Sequence, residues 1–187
     1  MKRLAILRHA KSSWDDPGLG DFNRPLNERG WKAARRLGRE FERHRFRFDL
    51  VLSSTSARTR ETIDGIQKHF DFNAPIRFEQ ELYLASEGTL LSIIQSIDDQ
   101  VKAPLIVGHN PGLEMLVADL TRDDQKGLRQ RVSGKFPTGA FAIVELPAGD
   151  WADTGPDATD SAAVPMAATQ ATRIRMIVLL IVWRICS

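Results

Sequence analysis

Cysteine is nearly absent from this chain. Of the 187 residues only Cys186 is a cysteine, and it lies next to the C-terminal residue. No internal disulfide can form, no zinc site can be built from cysteines, and a reducing compartment fits better than an oxidising one. We therefore expect a cytoplasmic protein.

Long apolar runs are missing as well. The run near the N-terminus, Leu4–Leu7, is too short for the hydrophobic region of a signal peptide. The run near the C-terminus, Met176–Trp183, has eight residues, far fewer than the ~20 that span a bilayer. The sequence predicts no transmembrane span. For the second run it favours an added strand or a core-packing segment over a contact with a membrane surface or another subunit.

Short apolar runs alternate with amphipathic segments along most of the chain. Strands are predicted at 3–7, 48–53, 76–78, 104–108 and 140–146. Helices are predicted at about 27–45, 57–70, 88–97 and 111–120, the first of them with Asn27 as its N-cap. Strands that alternate with helices need crossover connections, and continuous apolar strands indicate a sheet covered on both faces. The pattern predicts a largely parallel α/β sheet.

Three of the predicted strands end near basic side chains. Arg8 and His9 follow the first strand, Arg58 follows the second, and His109 follows the strand at 104–108. In an open α/β sheet ligands bind at the carboxyl ends of the strands. We therefore expect these four side chains to meet at one edge of the sheet.

Two arginines and two histidines in one place suit phosphoryl transfer. Guanidinium groups match the oxygens of a phosphoryl group, and a neutral imidazole can attack phosphorus and hold the group as phosphohistidine. Neighbouring positive charge lowers the pKa of a histidine and so keeps it unprotonated. The second histidine can donate a hydrogen bond to the transferring group. This chemistry needs no metal, and we expect no cofactor.

The segments that contain these residues resemble the motifs of the histidine phosphatase superfamily. In chain order they are LRHAKS (7–12), RPLNERG (24–30), VLSSTSARTRET (51–62), VGHNPGLE (107–114) and FPTGAF (136–141). Ala10 replaces the usual glycine of the first motif, and Thr55 replaces the usual proline of the third. In this order and spacing the motifs are most similar to the short phosphohistidine phosphatases of the SixA type, over residues 2–151.

The resemblance implies a fold and a set of roles. It implies a three-layer α/β/α sandwich with a mostly parallel central sheet, as in phosphoglycerate mutase, as a domain at residues 1–151. His9 would be the nucleophile, Arg8 and Arg58 would clamp the phosphate, and His109 would be the second histidine of the phosphate pocket. Arg24 would add a further contact to the phosphoryl oxygens.

Three other polar residues are weaker candidates for the site. Ser12 and Asn110 lie beside the motifs and are candidates to bind substrate, although a turn or cap role fits each of them equally well. Glu81 lies in the region where larger members of the superfamily place a general acid, with Glu79 as its competitor. A phosphohistidine needs a general acid less than an ester does, because imidazole is more easily expelled than an alkoxide.

The composition changes after about residue 152. The segment to about residue 172 is rich in small and polar residues, and the short apolar run follows it. We predict that 152–187 is a C-terminal tail, flexible in its first part. The resemblance does not extend to it, so this tail is divergent from the family.

The sequence favours one function and leaves others open. The first hypothesis is a metal-independent phosphatase that acts on phosphohistidine in a partner protein, for example a histidine-containing phosphotransfer or phosphocarrier protein. A phosphatase of small phosphate esters and a non-catalytic module that binds phosphoproteins are the alternatives. Nucleic-acid binding by the basic run at 35–47 is disfavoured, because Glu40 and Glu42 interrupt the run and the net charge is only +2.

Overall fold

The computed structural model describes residues 2–121, 136–146, 149–155 and 175–177. Within these ranges six strands form one sheet, in the order β3-β2-β4-β1-β5-β6. The strands are β1 (Lys2–Arg8), β2 (Leu50–Ser54), β3 (Ile76–Glu79), β4 (Pro104–Gly108), β5 (Phe141–Leu146) and β6 (Arg175–Ile177). The first four strands run parallel, while β5 and β6 are antiparallel to their neighbours. The predicted mostly parallel sheet is confirmed.

Four α-helices of the described ranges cover the two faces of this sheet. They are α1 (Glu28–Arg43), α2 (Ala57–Gln67), α3 (Glu87–Gln95) and α4 (Gly112–Leu120). Helices α1 and α2 pack on one face, and α3 and α4 pack on the other. The predicted three-layer α/β/α sandwich is therefore confirmed, and the helix and strand bounds agree with the sequence to within about three residues. None of these helices is long and apolar enough to cross a membrane.

Strand β1 shows why the sheet must be covered on both faces. Leu4 and Ile6 point to the cluster that includes α3 and α4. Ala5 and Leu7 point to the cluster that includes α1 and α2. All four side chains are buried, because successive residues of a strand face opposite sides and each side is covered by helices.

Helices α1 and α2 approach each other closely. A Cβ atom placed on Gly38 would lie only 2.3 Å from the carbonyl oxygen of Ile66, so a side chain here would push the two helices apart. The start of α1 is fixed separately, since the Asn27 side chain accepts a hydrogen bond from the Gly30 amide at 2.9 Å. The predicted N-cap is confirmed. These contacts hold α2, whose first turn carries Arg58.

The C-terminal part contributes one strand to the described structure. Residues Arg175–Ile177 pair with β5 at the edge of the sheet. The rest of the predicted tail, at 156–174 and 178–187, lies outside the described residues. Trp151, at the end of the range for which the family resemblance was noted, is buried, and its indole N–H donates to the Val101 carbonyl at 2.8 Å.

Candidate active site

The carboxyl end of β1 positions Arg8 and His9. The backbone N–H of His9 donates to the Gly108 carbonyl at 3.1 Å, so the hydrogen bonding to β4 continues one residue beyond the end of β1. On the other side, the Gly139 N–H donates to the Arg8 and His9 carbonyls at 3.1 and 2.9 Å. Gly139 has a φ of 76°, a conformation that glycine adopts without strain. The backbone of His9 is thus held from both sides.

The His9 ring is held as one neutral tautomer. Its Nδ1 lies 2.7 Å from the Ala10 carbonyl oxygen, and because a carbonyl can only accept, Nδ1 carries the proton. Its Nε2 accepts a hydrogen bond from Arg58 Nε at 3.3 Å, so this nitrogen has a lone pair. The Ala10 amide in turn donates to Thr62 Oγ1 at 3.0 Å, which fixes the turn after the histidine.

Arg58 connects the two histidines. Its Nη2 lies 3.2 Å from Nδ1 of His109, and because guanidinium can only donate, Nδ1 is the acceptor. The Nε2–H of His109 therefore donates to Ser54 Oγ, at 2.9 Å. The centroids of the two imidazole rings are 5.1 Å apart. The third motif thus supplies both Arg58 and Ser54 to the site.

Both histidines are held neutral by their surroundings. Burial is the largest cause that lowers the pKa of His9 to about 4; the charges of Arg58 and Arg8 act in the same direction, and the hydrogen bond to Ala10 opposes them. Burial also lowers the pKa of His109 to about 3, with a further contribution from Arg58. At neutral pH both imidazoles are therefore uncharged, as a nucleophilic nitrogen requires.

Arg8 and Asn110 line the opposite side of this cluster. Arg8 Nη1 donates to the Phe136 carbonyl at 2.6 Å, and the Asn110 amide donates to the same carbonyl at 3.0 Å and to Glu114 at 2.8 Å. Arg8 Nε and Asn110 Oδ1 are buried without a hydrogen-bond partner in the described part of the chain. A buried N–H without an acceptor is costly, and an anionic oxygen would satisfy the Arg8 N–H.

Arg24 and Ser12 form the next layer of the site. Arg24 Nη2 donates to Ser12 Oγ at 2.7 Å, and Arg24 Nε donates to the Ser13 carbonyl at 2.9 Å. The ring of Trp14 stacks on the guanidinium, 3.1 Å from its carbon to the ring centroid. The Ser12 hydroxyl thus holds the Arg24 guanidinium in place by accepting its hydrogen bond.

Two residues of the cluster were missed by sequence reasoning, Asp21 and Tyr83. The Asp21 carboxylate accepts from Arg58 Nη2 at 2.8 Å, from Arg24 Nη1 at 2.8 Å, and from the Tyr83 hydroxyl at 2.7 Å. The signal that could have found Asp21 is its place three residues before Arg24, in a loop that leads from one motif to the next. Tyr83 carried no comparable signal.

The structure does not bring Glu81 into the cluster. Glu81 is exposed in a short 3-10 helix, Gln80–Leu82, and no hydrogen bond or ion pair within the described ranges links it to the histidines or arginines of the site. Its competitor Glu79 pairs with Arg77. The Asp21 carboxylate, by contrast, contacts Arg24 and Arg58. Among the described residues, no group of three or more His, Cys, Asp or Glu residues is arranged to hold a metal ion.

The chain is similar in sequence to known proteins. The family model described as histidine phosphatase superfamily (branch 1) matches residues 4–89. An uncharacterised protein of Mycobacterium tuberculosis is 37% identical over 153 residues, which cover 80% of this chain and 92% of that protein.

Solved structures show the same similarity. A candidate phosphohistidine phosphatase SixA from Agrobacterium tumefaciens is 36% identical, with a TM-score of 0.70 over 78% of this chain and 92% of that one. A second such structure, from Nakamurella multipartita, is 28% identical, with a TM-score of 0.71 over 81% and 88% of the two chains. Together with the sequence motifs and the arginine–histidine cluster, these matches show that the chain belongs to the histidine phosphatase superfamily.

Proposed function

We propose that this protein is a phosphatase that removes the phosphoryl group from phosphohistidine in a partner protein, without a metal, through a covalent phosphohistidine on His9. The observation that carries the proposal is the state of His9: a buried, neutral imidazole whose Nε2 lone pair lies 3.3 Å from Arg58 Nε. A nucleophile beside a cation is suited to attack an anionic phosphoryl group.

The arginines bind the phosphoryl oxygens in this proposal. Arg8 has a buried Nε–H without a partner in the described ranges, and Arg58 presents Nε and Nη2 next to both histidines. Together they supply donors and positive charge to a dianionic group. Arg24, held by Ser12, adds charge to the same side of the site.

The reaction then proceeds in two displacements. The lone pair of His9 Nε2 forms a bond to phosphorus while the bond between phosphorus and the substrate nitrogen breaks, and the electron pair of that bond stays on the leaving imidazole. In the second step a water oxygen attacks phosphorus while the bond to Nε2 breaks and its electron pair returns to Nε2; the two protons of the water leave with the product as dihydrogen phosphate. The proton stays on His9 Nδ1 throughout and remains hydrogen-bonded to the Ala10 carbonyl, which keeps the ring in the same orientation.

His109 assists by donating to the phosphoryl group. Without substrate its Nδ1 accepts from Arg58. When a dianion binds, the negative charge raises the pKa of His109, so Nδ1 can take up a proton and donate it as a hydrogen bond to a phosphoryl oxygen. Ser54 keeps the other side of the ring fixed during this change.

Two observations favour a protein substrate. Between β3 and β4 the chain forms only a short 3-10 helix and α3, Glu87–Gln95, with no long insertion that could close over a small molecule. The Agrobacterium structure, 36% identical to this chain, is described as a candidate phosphohistidine phosphatase. A phosphorylated partner protein and a cytoplasmic location are parts of the same proposal.

The test compares wild type with His9→Ala in the presence of a chelator. The substrates are a histidine-phosphorylated protein and a simple aryl phosphate. We expect His9→Ala to lose all turnover, and His69→Ala, which changes an exposed histidine bonded to Arg39, to keep it. Full turnover by His9→Ala would contradict the mechanism. Binding of vanadate or phosphate without turnover of either substrate by the wild type would instead indicate a binding module.

A further inference from the structure

Asp21 is an acidic residue in a site that has to bind an anion. Its carboxylate contacts two of the three arginines of the site, and its own backbone carbonyl also accepts from Arg58 Nη1 at 2.5 Å. The side chain is 44% exposed, whereas the side chains of Arg24 and Arg58 are 8% and 4% exposed. The carboxylate therefore lies at the mouth of the site, with the cations beneath it.

Arg58 sets the position of Asp21 relative to the nucleophile. The Nε atom of this guanidinium donates to His9 Nε2, and its Nη2 atom donates to Asp21. Nucleophile and carboxylate are thus separated by one guanidinium group. A phosphoryl group that His9 attacks and Arg58 binds has its leaving group on the side away from His9, which is the side of the solvent-exposed mouth.

A carboxylate at this place discriminates between leaving groups. An ester leaves as an oxygen anion, which a carboxylate repels and cannot protonate. Phosphohistidine leaves best when the ring nitrogen that is not bound to phosphorus is protonated, because the ring then departs as neutral imidazole. A carboxylate that accepts the hydrogen bond of that N–H favours the protonated form of the substrate.

We propose that Asp21 is a specificity-determining residue that accepts the N–H of the departing imidazole and so selects phosphohistidine over phosphate esters. This inference rests on the proposed function. In the step, the new bond joins His9 Nε2 to phosphorus, the broken bond is that between phosphorus and the substrate nitrogen, and its electron pair stays on that nitrogen. The proton on the other ring nitrogen remains there, hydrogen-bonded to Asp21, so no acid has to supply one.

The contacts of Asp21 suit it to accept a hydrogen bond and not to act as an acid. Burial raises the pKa of this carboxyl, but hydrogen bonds from Tyr83 and Arg58 outweigh burial and hold the pKa below its ordinary value. Asp21 is therefore ionised at neutral pH. When the phosphoryl group takes over Nη2 of Arg58, Asp21 Oδ2 loses one of its two donors and can accept the substrate N–H in its place, while Tyr83 still donates to Oδ2 and Arg24 to Oδ1.

The experiment measures kcat/KM of the full chain for phosphoimidazole and for para-nitrophenyl phosphate, which share the phosphoryl group and differ in the leaving group. We expect Asp21→Asn to lower the ratio of kcat/KM for phosphoimidazole to kcat/KM for para-nitrophenyl phosphate by about tenfold or more, which corresponds to the loss of one charge-assisted hydrogen bond. Asp21→Glu, which keeps the carboxylate, is expected to restore part of the ratio. Asp15→Asn, in the same loop and bonded to Ser13, is expected to leave it unchanged.

Two results would overturn this inference. A fall of both kcat/KM values by the same factor in Asp21→Asn would mean that Asp21 only positions the arginines. A rise of both values would mean that it only competes with the phosphoryl group for Arg58. Failure of the proposed function looks different, because the wild type itself would then not hydrolyse phosphoimidazole, or His9→Ala would remain active.

Discussion

The two buried histidines make the stability of this protein depend on pH well above the range in which carboxylates titrate. His9 and His109 have pKa values of about 4 and about 3 in the folded protein, against about 6.5 in an unfolded chain. Between these values the unfolded chain binds protons that the folded protein does not. Stability is therefore fully present above pH 6.5 and falls as the pH decreases toward 4.

The size of the effect follows from these pKa values. Between pH 7 and pH 5 each histidine that is protonated only in the unfolded chain lowers the free energy of unfolding by roughly 2 kcal/mol, and the pair lowers it by roughly 4 kcal/mol. Whole domains are stable by only about 5–15 kcal/mol. Mild acid should thus remove a large share of the stability while most carboxylates are still ionised.

Urea unfolding at pH 7 and at pH 5 measures this loss. We expect the double variant His9→Asn/His109→Asn to lose much less stability than wild type between the two pH values, whatever its stability at pH 7. The control His44→Asn/His69→Asn changes the two other histidines, which are exposed, and should lose as much as wild type. An equal loss in the buried-pair variant and in wild type would refute the argument that burial holds these rings neutral.

Two further predictions concern the packing of α1 against α2 and the need for a guanidinium group at Arg58. Gly38→Ala should lower the free energy of unfolding by about 1–3 kcal/mol in urea titrations, because its Cβ would meet the Ile66 carbonyl at 2.3 Å. The control Gly88→Ala lies in α3 with open space around it and should not lower the free energy of unfolding. Arg58→Lys should lower kcat/KM for phosphohistidine by about a hundredfold or more, since an ammonium group cannot bridge both histidines. Arg60→Lys, exposed on the same helix, is its control, and similar losses in both variants would contradict this role for Arg58.

Much of the fold could be predicted because its signals are local. The strands β1 and β4 contain unbroken apolar runs, and α1 has a clear apolar face and a side-chain cap at Asn27. The direction of β5 was not predictable in this way. A single apolar strand has the same pattern whether it pairs parallel or antiparallel, and β5 pairs antiparallel with β1.

The candidate site was predictable where it lies at strand ends and unpredictable where it depends on loops. Arg8 ends β1, and His9 and His109 directly follow β1 and β4, so the topology alone brings all three to one edge of the sheet. Asp21 and Tyr83 are 62 positions apart and meet through side chains of two irregular segments. No periodicity or spacing encodes such a contact, so the sequence indicated the exposed Glu81 as the candidate acid instead.

The central place of β1 in the sheet protects the backbone of the site from local unfolding. Within the described residues this strand is hydrogen-bonded on both sides, to β4 and to β5, whereas β3 and β6 have a paired neighbour on one side only. Local opening of a sheet begins at its margins and reaches the interior last. His9, the proposed nucleophile, therefore follows a strand of the sheet interior, where we expect amide protons to exchange slowly, and fraying of β3 or β6 should leave the backbone around His9 in register.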